Sequence, residues 1–578
     1  SGRELPMHLG LPTRSVHGLP IIEHAEFGRN VPDEAMPDED KMNLGKIYHM
    51  GKEEAAGLIL NRQAMASHTF ITGSTGTGKS NAVYHLLDEI TKNGQTTFLV
   101  VEPAKGEYKN VFGNCTDVQV FGTNPRETPL LRMNPFAFPE NIHILEHIDR
   151  LVEIFNACWP MHAAMPAVLK DAIERSYQKV GWDLRNSESE KGIFPTFFDL
   201  LDILPGVIEE SHYSKDTQSD YVGALCTRVK SLTNGIYGSV LCAEDALTDE
   251  ALFDRNVIVD LSRVGSMETK SLLMGILVMK LQEYRMCSSG MNSRLRHVTV
   301  LEEAHNLLRK TSAEQSQEGA NLQGKSVEML ANAIAEMRTY GEGFIIADQA
   351  PGLLDMSVIR NTNTKIILRL PDEEDRKLVG KSAALKEAQI DELSKLPLGV
   401  AAVYQNEWPE AVLCKIEAYP MPENAVYHKP SKMPHEINAE FVFGQLAVGK
   451  ELEPLSSSEM EQLKLWLKRH ETVLKPEDDR YLERVFAGGE LDVAKTRKAV
   501  FDFFGGIGTV VDYCAAAKKS LTPRKEFLEQ LQGQYGLKAA AADWVLNSVI
   551  SMGMSLNPDA KAVDNLRTNF EQQGGRVL

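Results

Sequence analysis

The sequence predicts an α/β protein in which a parallel sheet with helices is built round a phosphate-binding loop, a helical block is inserted into it and a helical C-terminal region follows. The first observation behind this is the stretch His68-Thr-Phe-Ile-Thr-Gly-Ser-Thr-Gly-Thr-Gly-Lys-Ser80. It spells G-x-x-x-x-G-K-S between a β-rich run, Thr69 to Thr72, and a run with Val83, Leu86, Leu87 and Ile90 at helical spacing. The second is a set of continuous apolar runs of strand length, Thr96 to Glu102, Asn256 to Asp260, His297 to Glu302 and Gly343 to Asp348, the pattern of strands buried on both faces. The third is a change of texture, helical from Asn141 to about Tyr237 and again past about Pro430.

Each position of the loop has a chemical reason. The backbone N–H groups of Gly73, Ser74, Thr75, Gly76, Thr77 and Gly78 can curl round a phosphate, and only glycine lets a backbone approach so closely. Lys79 can reach the outer oxygens, Ser80 can ligate Mg2+, and the helix opening at Lys79 adds positive partial charge. Further on, the run ending Glu102-Pro-Ala-Lys-Gly-Glu-Tyr108 places carboxylates at the carboxyl end of a strand, where open α/β sheets bind ligands. His297-Val-Thr-Val-Leu-Glu-Glu-Ala-His305 ends in two adjacent acids. There Glu302 can hold the Mg2+ water shell and Glu303 can polarise an attacking water. His305 alone reads as structural. Gln349 is a polar side chain at another strand tip.

Composition sets the outer limits. A chain of 578 residues has room for roughly two to four domains, and its 43% hydrophobic and 25% charged fractions are those of ordinary globular proteins. The cysteines, Cys115, Cys158, Cys226, Cys242, Cys287, Cys414 and Cys514, form no C-x-x-C pair or Cys/His cluster, which points to a reducing compartment and away from zinc. The longest apolar candidate, Leu272 to Leu281, is broken by Gly275 and Lys280, so a cytoplasmic chain with no integral membrane segment and no signal peptide is expected. The chain begins Ser-Gly-Arg rather than Met, as a processed chain or a piece of a longer protein would. A formal charge of −18 is unlike a conventional DNA-binding domain, yet a ring-shaped motor needs only a few basic residues per subunit in its channel.

The domain reading in order is an N-terminal arm with edge strands over 1–65, a core over 66–140 and 238–425, an inserted helical subdomain over 141–237, and a helical C-terminal domain over 426–578. Within the arm, an acidic knot at Pro37-Asp-Glu-Asp40 precedes a hairpin over Ile47 to Leu60. Trp159-Pro-Met-His-Ala-Ala-Met-Pro166 in the insertion reads as packing. A helix is expected over Ser266 to Met286, and Arg309 to Lys325, rich in Ser, Gln, Glu and Gly, reads as a mobile loop. The helix after it ends near Arg338-Thr-Tyr-Gly341; Thr364 to Leu370 is a strand, and Gly399 to Gln405 with Ala411 to Ile416 makes a terminal hairpin. Helices are expected over Ser456 to His470, Pro476 to Ala487, Asp492 to Phe504, Thr522 to Gln532 and Leu537 to Met552.

Taken together, the phosphate loop, the phrase Lys105-Gly-Glu-Tyr108, the strand end Glu-Glu-Ala-His305 and the strand ending in Gln349 resemble the HerA branch of the HerA/FtsK superfamily of ring-forming ATPases. The resemblance covers roughly residues 20 to 420 and implies a RecA-like P-loop ATPase core that uses ATP and Mg2+. By it, Lys79 and Ser80 bind phosphate and Mg2+, Glu303 is the catalytic base, and Gln349 senses the γ-phosphate. Arg338 is similar to the arginine placed at the subunit boundary, with Arg360 and Arg228 as further candidates. Two departures stand out: Glu302 replaces the usual Asp, and no N-terminal β-barrel is evident. The implied function is an ATP-driven homo-hexameric translocase or helicase on double-stranded DNA, working with a nuclease or other effector in DNA processing or antiviral defence. The alternatives are a type IV secretion or conjugation-like ATPase, and a nucleotide-dependent scaffold that gates a partner enzyme.

Overall fold

The computed structural model describes residues 24–429 and 480–575, with residue 17, apart from 33–35, 162–163, 190–192, 212, 244–245, 312–316, 422–424, 483, 486–491, 520–521, 536–538 and 558. Eleven strands form one sheet: β1 (Lys41–His49), β2 (Lys52–Asn61), β3 (Thr69–Thr72), β4 (Thr97–Glu102), β5 (Val118–Gly122), β6 (Asn256–Asp260), β7 (His297–Glu302), β8 (Glu342–Asp348), β9 (Thr364–Ile367), β10 (Val400–Gln405) and β11 (Val412–Ile416). Their order is β2-β1-β11-β10-β9-β3-β8-β7-β4-β6-β5. From β9 to β5 every neighbouring pair is parallel. At the other edge β10, β11, β1 and β2 continue the sheet antiparallel. This is an α/β, RecA-like architecture, and β3, which feeds the phosphate loop, lies between β9 and β8 near its middle.

Continuous apolar runs became central strands because both faces are covered. Every residue of β6, β7 and β8 is buried. Helix α1 (Lys79–Thr91) sets Val83, Leu86, Leu87 and Ile90 into a core shared with Ile71, Val100, Val298 and Ile345. A short helix, α2 (Tyr108–Phe112), follows β4. Between β5 and β6 comes a helical block opening with α3 (Ile144–Cys158), whose Ile144, Ile148, Leu151, Val152 and Phe155 are buried. Trp159 is buried and stacks on Phe155 with ring centroids 4.6 Å apart, so it packs.

Helix α4 (Met267–Ser288) starts on Ser266, whose side chain accepts from the Thr269 N–H, and is buried on nearly every side. An interior helix with charged residues has to match them. Glu283 accepts from Arg150 Nη1 at 3.3 Å and lies 3.0 Å from His147 Nδ1, while Arg285 Nε donates to Glu342 at 2.9 Å.

The stretch Arg309 to Lys325 differs from its reading as a mobile loop. Arg309 forms a bridge with Leu354 and the Lys310 N–H donates to Leu353 O at 2.8 Å, so the start is fixed to its neighbour. Helix α5 (Gln317–Glu336) then runs through Lys325. Gln and Glu are good helix formers, and the two glycines lower but do not cancel that preference.

The described residues divide into two compact units. One holds the sheet and its helices up to Lys429; the other is Pro430–Leu578 with the short stretches Val180–Asp183 and Glu188–Phe194. In the second, helices Val493–Phe503, Gly506–Ala517, Pro523–Tyr535, Ala539–Leu556 and Ala560–Gln572 surround a core that includes Phe501, Phe503, Tyr513, Leu546, Ile550 and Phe570. The helix expected over Ser456 to His470, and most of that over Pro476 to Ala487, lie outside the described residues. All seven cysteines are free. Among the described residues no single helix is long and apolar enough to cross a membrane.

Candidate nucleotide-binding site

Adjacent parallel strands β8, β7, β4 and β6 each end in a buried acid, Asp348, Glu302, Glu102 and Asp260. Burying a row of carboxylates is costly unless each is matched. Asp348 accepts from the backbone N–H groups of His305 and Ala350 at 2.8 and 2.9 Å. Glu302 is met by Lys79 and Tyr108. Glu102 accepts from the N–H groups of Glu107 at 2.8 Å and Tyr108 at 3.1 Å, and burial pushes its carboxyl up to about 8 against those bonds. Asp260 pairs with Lys109 Nζ at 2.7 Å.

The phosphate loop faces the same strand ends. A side chain at Gly73 would sit 2.7 Å from both Leu368 Cβ and Thr77 Oγ1, so glycine is required for space. Gly78 caps α1 at φ +104°, a conformation that favours glycine. The loop is pinned at both ends: the Ser74 N–H donates to Arg369 O at 3.1 Å, and the Gly399 N–H donates to Thr77 O at 3.0 Å. Between them Thr75 and Gly76 are exposed, which leaves the crest of the loop accessible.

Lys79 is buried beside this crest and its ammonium bridges Glu302 Oε2 at 3.0 Å and Glu303 Oε1 at 3.1 Å. Burial opposes that charge, the two carboxylates outweigh it, and Lys79 is held above its ordinary value. Glu303 takes φ +44°, a left-handed conformation rare for a residue with a side chain, and its carbonyl accepts from Asn306 Nδ2 at 2.7 Å. Gln349 Nε2 donates to Glu303 Oε1 at 2.5 Å, while Gln349 Oε1 accepts from Thr75 Oγ1 at 2.7 Å. A continuous chain therefore runs from loop to strand tip to acid. Tyr108 donates its hydroxyl to Glu302 Oε1 at 2.5 Å; burial, then Glu302, push the phenol well above its ordinary value, so it stays a donor.

His305, half-buried, lies 2.9 Å from Asp348 Oδ2 and 3.6 Å from Glu303 Oε2. The Asp348 hydrogen bond raises the imidazole above its ordinary value against burial. Glu303, His305 and Asp348 are close enough to bracket a cation, but the bond to Asp348 already occupies the imidazole nitrogen nearest them.

The structure thus gathers Thr75, Lys79, Glu302, Glu303 and Gln349, with Ser80 lining the same cleft as Glu302 and Glu303. The arginines stand apart in the same chain. Arg338 is exposed in the turn Met337–Tyr340 before β8, at the amino end of the strands, opposite the phosphate loop. Arg360 ends the helix Met356–Arg360 before β9, also at that end, and Arg228 pairs with Glu268 at 3.6 Å. Sequence reasoning quoted Tyr108 but missed its bond to Glu302, 194 residues away, and it missed the Thr75–Gln349 and Asp348–His305 contacts. Nothing local signals such pairings; they follow from strand order. The Ser80 hydroxyl and the Glu302 carboxylate are hard oxygen donors, which suits Mg2+.

Residues 42–280 match the family model described as the central domain of helicase HerA. A probable helicase of Methanocaldococcus jannaschii is 23% identical over 436 residues, covering 69% of this chain and 76% of that protein. The DNA double-strand break repair helicase HerA of Sulfolobus acidocaldarius is 25% identical over 393 residues, 65% of this chain and 69% of its own length. Among solved structures, VirB4 of Thermoanaerobacter pseudethanolicus is similar at a TM-score of 0.49 and 17% identity, over 66% of this chain and 98% of that one. Family model and curated relatives point the same way, to the HerA branch of the HerA/FtsK superfamily of P-loop ATPases, which this chain resembles.

Proposed function

We propose that this chain hydrolyses ATP with Mg2+ and, as a homo-hexameric ring, uses the energy to move along double-stranded DNA in the service of a partner nuclease or other effector, in DNA processing or antiviral defence. The observation that carries the catalytic part is the Lys79 ammonium held 3.0 and 3.1 Å from Glu302 and Glu303 at the foot of the phosphate loop. On nucleotide binding Lys79 exchanges carboxylate contacts for the β- and γ-phosphates, and the loop N–H groups cradle them. Ser80 and Glu302 would hold Mg2+, which supplies positive charge against the phosphate oxygens. Glu303, released from Lys79, accepts a proton from the attacking water as its oxygen bonds to the γ-phosphorus and the bond to the bridging oxygen breaks. Gln349, bonded to both Glu303 and Thr75, is placed to feel whether a γ-phosphate lies on the loop. Arg338, exposed and remote from its own loop, is available to a neighbouring subunit.

The DNA part rests on the relatives, which are named DNA double-strand break repair helicases. A chain of net charge −18 has to confine any DNA contact to a small basic surface, so contact should be salt-sensitive and indifferent to sequence. Steady-state ATPase with and without linear double-stranded DNA at low salt tests the reading. It expects Mg2+-dependent turnover that rises several-fold with DNA. Turnover indifferent to DNA at low salt would remove the motor and leave the nucleotide-dependent scaffold or the secretion-type ATPase in its place.

A further inference from the structure

We propose that Tyr108 is a positioning residue that keeps the Glu302 carboxylate aligned when Lys79 leaves it for the phosphates, an inference that rests on the ATPase reading above. Two donors hold Glu302: Lys79 on Oε2 at 3.0 Å and the Tyr108 hydroxyl on Oε1 at 2.5 Å. Phosphate binding draws the first away. The second stays, because Tyr108 is anchored to parts of the sheet other than the strand that carries Glu302.

Its anchors are specific. The Tyr108 and Glu107 N–H groups donate to the two oxygens of Glu102 at the end of β4, at 3.1 and 2.8 Å. The next residue, Lys109, pairs with Asp260 at the end of β6 at 2.7 Å. The ring is 2% exposed and meets Tyr84 of α1 edge-on, with centroids 4.9 Å apart. One short turn therefore grips three successive strand-end acids, and the phenol is the finger that reaches the third. A glutamate has three side-chain torsions to settle, and a fixed donor on one oxygen removes most of that freedom before metal arrives. Tyr108 touches Glu302 and not the reacting atoms, so its effect should appear in metal affinity rather than in nucleotide capture.

The test uses the full chain with a non-hydrolysable ATP analogue and Mn2+, whose binding is read by electron paramagnetic resonance. Tyr108→Phe removes only the hydroxyl. It should weaken Mn2+ binding to the analogue-loaded protein by about tenfold or more, with metal-free analogue affinity changed less than about twofold. The Mg2+ concentration for half-maximal ATPase should rise in step. In a Glu302→Asp background, where the shorter side chain withdraws from the phenol, the same substitution should weaken Mn2+ by less than about threefold, because the two changes remove one contact. Wild-type Mn2+ affinity in Tyr108→Phe, or an equal loss in both backgrounds, overturns the assignment of Tyr108 alone. A wild type that takes up no Mn2+ with the analogue overturns the ATPase reading and this inference together.

Discussion

His305 sits where charge matters most at the scale of single residues, 2.9 Å from Asp348 and 3.6 Å from Glu303. Its folded value is raised, first by the Asp348 hydrogen bond, above the ordinary value of 6.5. The folded state therefore holds the proton more tightly than the unfolded chain does. The stabilisation is fully present below about pH 6.5 and is lost as pH rises through the folded value. Melting temperatures followed from pH 6 upwards should fall more steeply for wild type than for His305→Gln; parallel curves would mean that the pair stores no proton-linked stability. Lys79 matters for a different reason: removing it leaves the buried Glu302 and the half-buried Glu303 without their counter-charge.

Elements show where local pattern is informative and where it stops. The strands β4, β6, β7 and β8 were legible because burial on both faces forces unbroken apolar runs. The edge strand β5 was not, since Val118, Gln119 and Phe121 are only half-buried and the run is short. The hairpin read over Ile47 to Leu60 is β1 and β2, beginning at Lys41, but its place beyond β11 depends on pairings between Gly45 and Ile416 that no local pattern encodes. Helix Gly506–Ala517 escaped notice because two positive-φ glycines, Gly505 and Gly506, punctuate the chain where it starts. At the site, residue types were legible and their contacts were not. Helix α2 and the turn after it add further contacts of this kind: Asn110 Oδ1 accepts from the Tyr427 N–H at 3.0 Å, and Asn114, in the turn, bonds Val426 O at 2.8 Å and the His428 N–H at 3.0 Å. Those bonds lace the segment before Pro430 to the helix that carries Tyr108. Asn110→Ala with Asn114→Ala should free it, so chymotrypsin should cut after Tyr427 several-fold faster, as read by fragment mass. An unchanged cutting rate there would show that the lacing contributes nothing to holding the segment.

At the scale of the whole molecule, the separation of Arg338 from its own phosphate loop fits a site completed by a neighbour in a closed ring. Each of Arg338→Ala and Glu303→Gln should lose turnover alone. Mixed rings should regain part of it, because some interfaces then join an intact Glu303 to an intact Arg338; no recovery in rings verified as mixed would move the arginine role to another residue. The net charge of −18 places no obstacle in the way of such a ring, whose exterior can stay acidic while its channel differs. The claim on which all of this depends is that ATP is cleaved beside Lys79, Glu302 and Glu303. Single-turnover hydrolysis of radiolabelled ATP by wild type and by Glu303→Gln, with bound nucleotide identified afterwards, addresses it directly. Wild type should release ADP and phosphate, while Glu303→Gln should retain uncleaved ATP with a rate lower by about 10²-fold or more. Cleavage by Glu303→Gln at the wild-type rate would contradict the account.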